Sequence, residues 1–163
     1  MSKGVVMDCK ERLVAYLQAE GVDFEVRHHR QAFTAQEVAA TEHISGKRLA
    51  KVVMVMAGAD LVMTVLPAHE RVDLDVLGRV TGATGLRLAE EDEFSSRFDD
   101  CEAGAQPPFG NLYGLPVYVD SALSQQERIE FRAGTHTDTI GMRYADFARL
   151  VQPAVDSFGR VED

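Results

Sequence analysis

Two apolar, β-branched-rich runs, Lys51 to Ala57 and Leu61 to Leu66, are separated only by Gly58-Ala59-Asp60. Short apolar runs joined by a glycine-bearing turn read as a β-hairpin, and Pro67, which lacks a backbone N–H for the ladder, stops the second strand. A hairpin commits its strands to antiparallel pairing, whereas a doubly wound sheet needs parallel strands with helical crossovers. The pattern therefore favours a mixed sheet with helices packed outside it.

The remaining periodicity fits that frame. Asp8 caps a first helix, Glu11 completes a capping box, Leu13, Val14 and Leu17 form its apolar face, and Gly21 ends it. Phe24 to His28 alternates like a strand. Thr34 caps a second short helix carrying Glu37, Val38, Ala39 and Ala40. Asp73 to Val80 reads as a helix, Leu86 to Leu88 as a short strand, and Glu90 to Phe98 as an acidic helix or turn. Strands follow at Pro116 to Val119, Arg128 to Ala133 and Ile140 to Met142, and a last helix, Tyr144 to Val151, stops before Pro153. The tail from Asp156 to Asp163 is polar and is expected to fray. With 163 residues and no repeat, linker or low-complexity tract, the chain is expected to be a single domain over 1–163.

Charge and composition exclude several classes. The net charge of -9 opposes broad binding to duplex nucleic acid, which needs a basic face. It leaves room for a local contact with one end of an RNA through Arg27, Arg30, Lys47, Arg48 and Lys51, which fall in one stretch. No apolar run is long enough to span a bilayer, and MSKGVVMDCKER has no signal-peptide core, so a cytoplasmic location is expected. The two cysteines, Cys9 and Cys101, form no CxxC and sit in different elements, so a disulfide framework and a zinc-finger site are both disfavoured. The five histidines, His28, His29, His43, His69 and His136, show no metal-ligand spacing.

Chemistry concentrates in Cys101 to Asp120, CEAGAQPPFGNLYGLPVYVD. Its loop, Gly104-Ala105-Gln106-Pro107-Pro108-Phe109-Gly110, precedes the strand PVYVD. Such a loop is either a plain structural turn or a nest of N–H groups that holds a carbonyl or a water. Lys51 opens the strand VVMVM; it is either an end-cap whose stem lies along apolar surface or a cation aimed into a pocket. His136 follows an alternating strand in Ala133-Gly134-Thr135-His136-Thr137, where it is either solvated or a hydrogen-bond donor of a site. His28, His29 and Thr34 flank a strand end that could line the same pocket. Glu102 and Asp120 bracket the loop as candidate bases or as caps. No Gly-x-Ser-x-Gly elbow occurs. Cys101 has Asp99, Asp100 and Glu102 beside it, with Asp92 further back, and this environment disfavours a thiolate nucleophile.

Taken in order, Thr34, Leu49-Ala50-Lys51-Val52-Val53, Leu66-Pro67, Arg71-Val72-Asp73, the Gly104 to Gly110 loop, Val117-Tyr118-Val119-Asp120 and Ala133-Gly134 resemble the YbaK/ProX-type aminoacyl-tRNA editing domain. This family is also called the prolyl-tRNA synthetase associated domain, and the likeness covers about Phe24 to Val151. It implies an α+β fold in which a curled mixed β-sheet, partly barrel-like, has helices packed around it. It also implies a free-standing trans-editing deacylase that hydrolyses the ester of mischarged tRNA, commonly tRNA(Pro) bearing a small wrong amino acid, with no cofactor and no metal. Carried over residue by residue, Lys51 contacts the terminal adenosine or the aminoacyl group. Gly104 to Pro108 orient the ester carbonyl, and a water assisted by the substrate's ribose hydroxyl attacks. Lys51, Gly104 and Pro108 are thus the catalytic candidates. His28, Thr34, Ala105, Gln106, Pro107, Phe109, Gly110, Gly134 and His136 are the substrate-binding candidates. The implied partner is the acceptor end of aminoacyl-tRNA, with the protein acting alone or docked on prolyl-tRNA synthetase, and with no membrane or DNA involved. Two other classes stay open: a non-catalytic module binding tRNA, a nucleotide or a protein, and a metal-dependent hydrolase using the histidines.

Overall fold

The computed structural model describes residues 7–30, 34, 38 and 45–161. Helix α1, Cys9–Ala19, starts where the capping box predicts. The Asp8 carboxylate accepts from the Glu11 N–H at 2.8 Å, and the Glu11 carboxylate accepts from the Asp8 N–H at 3.3 Å. Its Leu13 and Leu17 are fully buried. Of the helix predicted after Thr34, residues Glu37, Ala39 and Ala40 lie outside the described residues. Val38 is helical and buried, and its N–H donates to the Thr34 carbonyl at 3.0 Å.

Ten strands arrange in three sheets among the described residues. Strand β1, Phe24–His28, pairs antiparallel with β8, Asp138–Arg143, which pairs antiparallel with β7, Arg128–Arg132. The largest sheet has five strands, in the order Leu86–Leu88, Ala50–Ala57, Asp60–Pro67, Val117–Asp120 and Ala154–Asp156. Its centre is the predicted hairpin, β2 (Ala50–Ala57) and β3 (Asp60–Pro67), in register from Ala57↔Asp60 to Ala50↔Pro67. Strand β5, Leu86–Leu88, pairs antiparallel with β2. On the other side β6, Val117–Asp120, and β9, Ala154–Asp156, continue the sheet in parallel fashion. A short ladder joins β4, Glu70–Val72, to β10, Gly159–Val161. The sheet is mixed, as expected; the described strands form separate sheets, and none of them closes into a barrel.

Helix α2, Leu74–Thr81, is capped by Asp73, and α3, Glu91–Phe94, runs into a 3-10 turn, Ser95–Phe98. A second 3-10 turn, Gly110–Tyr113, follows the Gly-Pro loop; α4, Ser121–Ser124, follows β6, and α5, Tyr144–Val151, follows β8. The main core lies between α1, α5 and the two larger sheets and includes Phe109, Phe131, Phe147, Met63 and Ile129. A second cluster, Val55, Val62, Leu66, Leu77 and Phe158, fills the far side of the hairpin.

Two expectations are corrected. The tail does not fray at Asp156: β10 pairs with β4, and Phe158 is 1% exposed. Asp120 explains this, because its Oδ1 accepts from the N–H groups of Phe158 and Gly159 at 3.0 and 2.8 Å. One apolar ring and one buried carboxylate anchor a segment that polar composition alone marks as loose. The cysteines, far apart in sequence, are joined by a Cys9–Cys101 disulfide, because the first turn of α1 packs on the segment preceding the Gly-Pro loop.

Candidate active site

The Gly-Pro loop is built from its buried end. Phe109 is fully buried and meets Phe131, Phe147 and Tyr16 at ring-centroid distances of 5.4, 5.3 and 6.2 Å. Gly110 sits where a Cβ would stand 2.6 Å from Val117 Cγ2 and 3.2 Å from the Leu115 carbonyl, so no larger residue fits. Ala105, Pro107 and Pro108 are buried and Gln106 is partly exposed. Gly104, at the exposed end, has φ +80°, a left-handed conformation that favours glycine.

The exposed end is tied to the β7–β8 turn. The Gly134 N–H donates to the Ala105 carbonyl at 3.0 Å, and the Glu102 N–H donates to the Gly134 carbonyl at 2.9 Å. His136, 7% exposed, is bound at three points. Its backbone N–H donates to Glu102 Oε1 at 2.7 Å, its Nε2 donates to the Ala103 carbonyl at 2.6 Å, and Arg132 approaches its Nδ1 at 3.3 Å. The same Arg132 guanidinium donates to the Gly104 carbonyl at 3.0 Å. Glu102 and Asp120 thus bind backbone N–H groups, the cap role left open above. Sequence reading missed Arg132; its place two residues before Gly134 on an alternating strand was the available signal.

His28 lies on the other flank of the same hairpin. Its Nδ1 is 3.0 Å from Asp138 Oδ1, which also accepts from Lys10 Nζ at 3.1 Å, while Asp138 Oδ2 accepts from the Thr135 hydroxyl at 2.7 Å. Burial alone would raise the Asp138 carboxyl; the hydrogen bonds from Thr135, His28 and Lys10 outweigh it and hold the group down at about 2. Thr34 is exposed.

Lys51 stands on β2 opposite Leu66, half-buried, in the field of the buried Glu70. Just before it, Leu49 bridges Glu130 of β7 in parallel sense. Glu130 itself is 1% exposed and accepts from Arg27 at 3.0 and 3.2 Å and from Arg48 at 3.3 Å. Both guanidinium side chains remain over two-fifths exposed, giving a local cationic rim on an acidic protein, with Arg30 and Lys47 exposed beside it.

The described histidines have separate protein partners: His28 meets Asp138, His29 the Arg30 carbonyl, His69 the Gly46 carbonyl and His136 the Ala103 carbonyl. His43 lies outside the described residues. Among those described, the metal-ligating groups that converge are Cys9, Asp100 and Cys101, and this cluster contains no histidine. No helix among the described residues is long and apolar enough to cross a membrane.

This loop-and-strand arrangement has relatives. A family model for the aminoacyl-tRNA editing domain matches residues 29–150. The chain belongs to the aminoacyl-tRNA editing domain family. It is similar, at 29% identity over 98% of its length and 97% of the relative's, to the multifunctional Ser/Thr-tRNA deacylase ProXp-y of Escherichia coli K12. Among solved structures, a candidate trans-editing enzyme for prolyl-tRNA synthetase superposes with TM-score 0.79 at 19% identity, covering 95% of this chain and 99% of that one. A hypothetical protein superposes with TM-score 0.82 at 18% identity, covering 92% and 100%. These two neighbours establish the editing-domain fold.

Proposed function

We propose that this editing-domain protein is a trans-acting deacylase that hydrolyses the ester of a small amino acid mischarged onto tRNA. The observation that carries the reading is the Gly104 to Pro108 loop, pinned through Ala103 and Gly104 by His136 and Arg132, in a chain whose relative along nearly its whole length is a Ser/Thr-tRNA deacylase. That relative favours seryl and threonyl esters as first substrates over an amino acid specific to tRNA(Pro).

An aminoacyl ester is an activated carbonyl compound, so positioning and oxyanion stabilisation supply most of the acceleration needed. In this reading the loop backbone orients the ester carbonyl, and Lys51 places a fixed positive charge at the terminal adenosine or aminoacyl group. A water attacks the carbonyl carbon, its proton passes by way of the neighbouring ribose hydroxyl to the leaving oxygen, and free amino acid and uncharged tRNA result. Phe109 and Gly110 support the loop from beneath. A small pocket admits small side chains and rejects larger ones by size. The acidic net charge is no obstacle, because only the acceptor end enters, and the Arg27–Arg48 rim can face its phosphates. The reading is metal-independent.

The test is deacylation of Ser-, Thr-, Ala- and Cys-charged tRNAs, tRNA(Pro) among the acceptors, in chelator, by wild type and Lys51→Ala. Hydrolysis of one or two esters, reduced about a hundredfold or more in a folded variant, is the expected result. A folded wild type that binds these tRNAs and hydrolyses none, with or without chelator, is a binding module. Activity abolished by chelator and restored by a metal ion would return the reading to a metallohydrolase.

A further inference from the structure

The Cys9–Cys101 bond lies directly beneath the loop assembly. Cys9 is the first residue of α1 and is 2% exposed, while Cys101 is partly exposed and precedes Gly104 by three positions. A Cβ on Gly134 would stand 2.5 Å from Cys9 Sγ and 2.7 Å from Cys9 Cβ, so the sulfur packs against the glycine whose N–H and carbonyl bind Ala105 and Glu102. The next residue after Cys101 is Glu102, which accepts from the His136 N–H, and then Ala103, which accepts from the His136 ring. Disulfide, Gly134 turn and loop therefore form one continuous stack.

The surroundings suit both oxidation states. The Tyr113 hydroxyl lies 3.4 Å from Cys9 Sγ and 3.3 Å from Cys101 Sγ, and donates to Asp100 Oδ1 at 3.2 Å. Asp100 Oδ1 is also 3.6 Å from Cys101 Sγ, placed to accept from a thiol there. Arg12 pairs with Asp100 at 3.3 Å and stacks 4.3 Å from the Tyr113 ring centroid, holding this polar cage in place. A chain of this length with a filled core does not need a disulfide to fold, and in a reducing compartment such bonds are chiefly catalytic or redox-sensing.

We propose that Cys9 and Cys101 form a reversible thiol–disulfide site, opened by a dithiol reductant, that controls how firmly the Gly104 to Pro108 loop is held. The reductant's thiolate attacks the more accessible Cys101 Sγ. The S–S bond breaks, and its electron pair leaves on Cys9 Sγ, which takes up a proton. The reductant's second thiol then resolves the mixed disulfide, releasing the Cys101 thiol and leaving the reductant oxidised. Two electrons and two protons pass to the protein. The loop loses its covalent anchor on α1, and the bonds that Glu102 and Ala103 make to His136 loosen. The effect on catalysis rests on the deacylase reading above; the redox chemistry and the loop's response do not.

The test equilibrates the full chain with dithiothreitol and its oxidised form in varied ratio, and counts thiols by alkylation and mass. Hydrogen exchange of residues 101–110 and 132–137 is followed in parallel with Ser- and Thr-tRNA deacylation. The expected result is reversible release of two thiols with the fold intact and exchange in both segments faster by about tenfold. A loss of about tenfold in kcat/KM accompanies it. Cys9→Ser and Cys101→Ser should match the reduced protein and ignore the dithiol; should either fail to fold, reduced wild type serves alone. Thiols that appear only on global unfolding, or equal exchange in both states, would overturn the proposal. Faster exchange with unchanged turnover would overturn its catalytic part. If no ester is hydrolysed in either state, the deacylase reading fails by itself while the exchange arm still decides the redox site.

Discussion

His136 donates its Nε2–H to the carbonyl of Ala103 across 2.6 Å, and this bond fixes the orientation of the ring. A carbonyl oxygen can only accept, so Nε2 is the donor in this bond, while Nδ1 faces Arg132 at 3.3 Å. Arg132 donates in turn to the Gly104 carbonyl at 3.0 Å. The consecutive carbonyls of Ala103 and Gly104, at the entry to the Gly-Pro loop, are thereby held from β7 and the β7–β8 turn, and His136 reads as a positioning residue.

His136→Ala should lower kcat/KM for the edited ester by about ten- to a hundredfold, the scale expected when a positioned backbone shifts by an ångström. His136→Gln, whose amide can still donate to Ala103, should recover part of the loss. The kinetic comparison is made after circular dichroism shows both variants folded. Equal loss in both would point to the ring itself contacting substrate.

Gly134→Ala should destabilise the fold by roughly 2 kcal/mol or more, from the left-handed backbone conformation and the overpacking together. Its φ is +92°, and the new methyl would overlap Cys9 Sγ. Urea unfolding of the oxidised proteins measures it; a variant as stable as wild type would show that the turn can shift away from α1.

Acid should weaken the β1–β8 edge through Asp138. Its folded-state value is about 2, below the ordinary 3.8, so the carboxylate contributes stability that is complete above about pH 4 and is lost as pH falls toward 2. The contribution is about 2 kcal/mol. Asp138→Asn should remove that portion of the acid dependence, as read by chemical denaturation from pH 2 to 6. An unchanged slope would locate the acid sensitivity in other carboxylates.

Glu70 should act in the opposite direction. Burial raises its carboxyl first, and the charge and hydrogen bond of Asp120 add to this, against opposing effects from His69 and Lys51. A raised folded-state value means that the native protein holds this proton more tightly than the unfolded chain. Its contribution is therefore present at low pH and is lost as pH rises from about 4.5 through the folded value. Glu70→Gln should flatten that fall and stabilise the protein near neutral pH, seen as a higher Tm at pH 7 with little change at pH 4. A lower Tm at pH 7 would mean that the ionised Glu70 is needed as a partner of His69 or Lys51.

Much of this molecule is written locally. The Asp8–Glu11 box, the hairpin turn at Gly58-Ala59-Asp60 and the Asp73 cap depend on neighbours within a few residues, so the sequence alone determines those elements. The order of Lys51, the Gly104 to Gly110 loop and Gly134 likewise carries the family resemblance, which the family match over residues 29–150 bears out. Tertiary structure decided what long-range partners decide. Phe158 and Asp120 turn a polar tail into a strand. Arg132 becomes a clamp only because β7 brings it to Gly104, and Cys9 meets Cys101 across 92 positions of sequence only because α1 docks beneath the loop. A capping box or turn is fixed by torsions within one stretch of chain; a buried ion, a disulfide or an anchored tail is fixed by which distant surfaces exclude water together, and no local pattern records that choice.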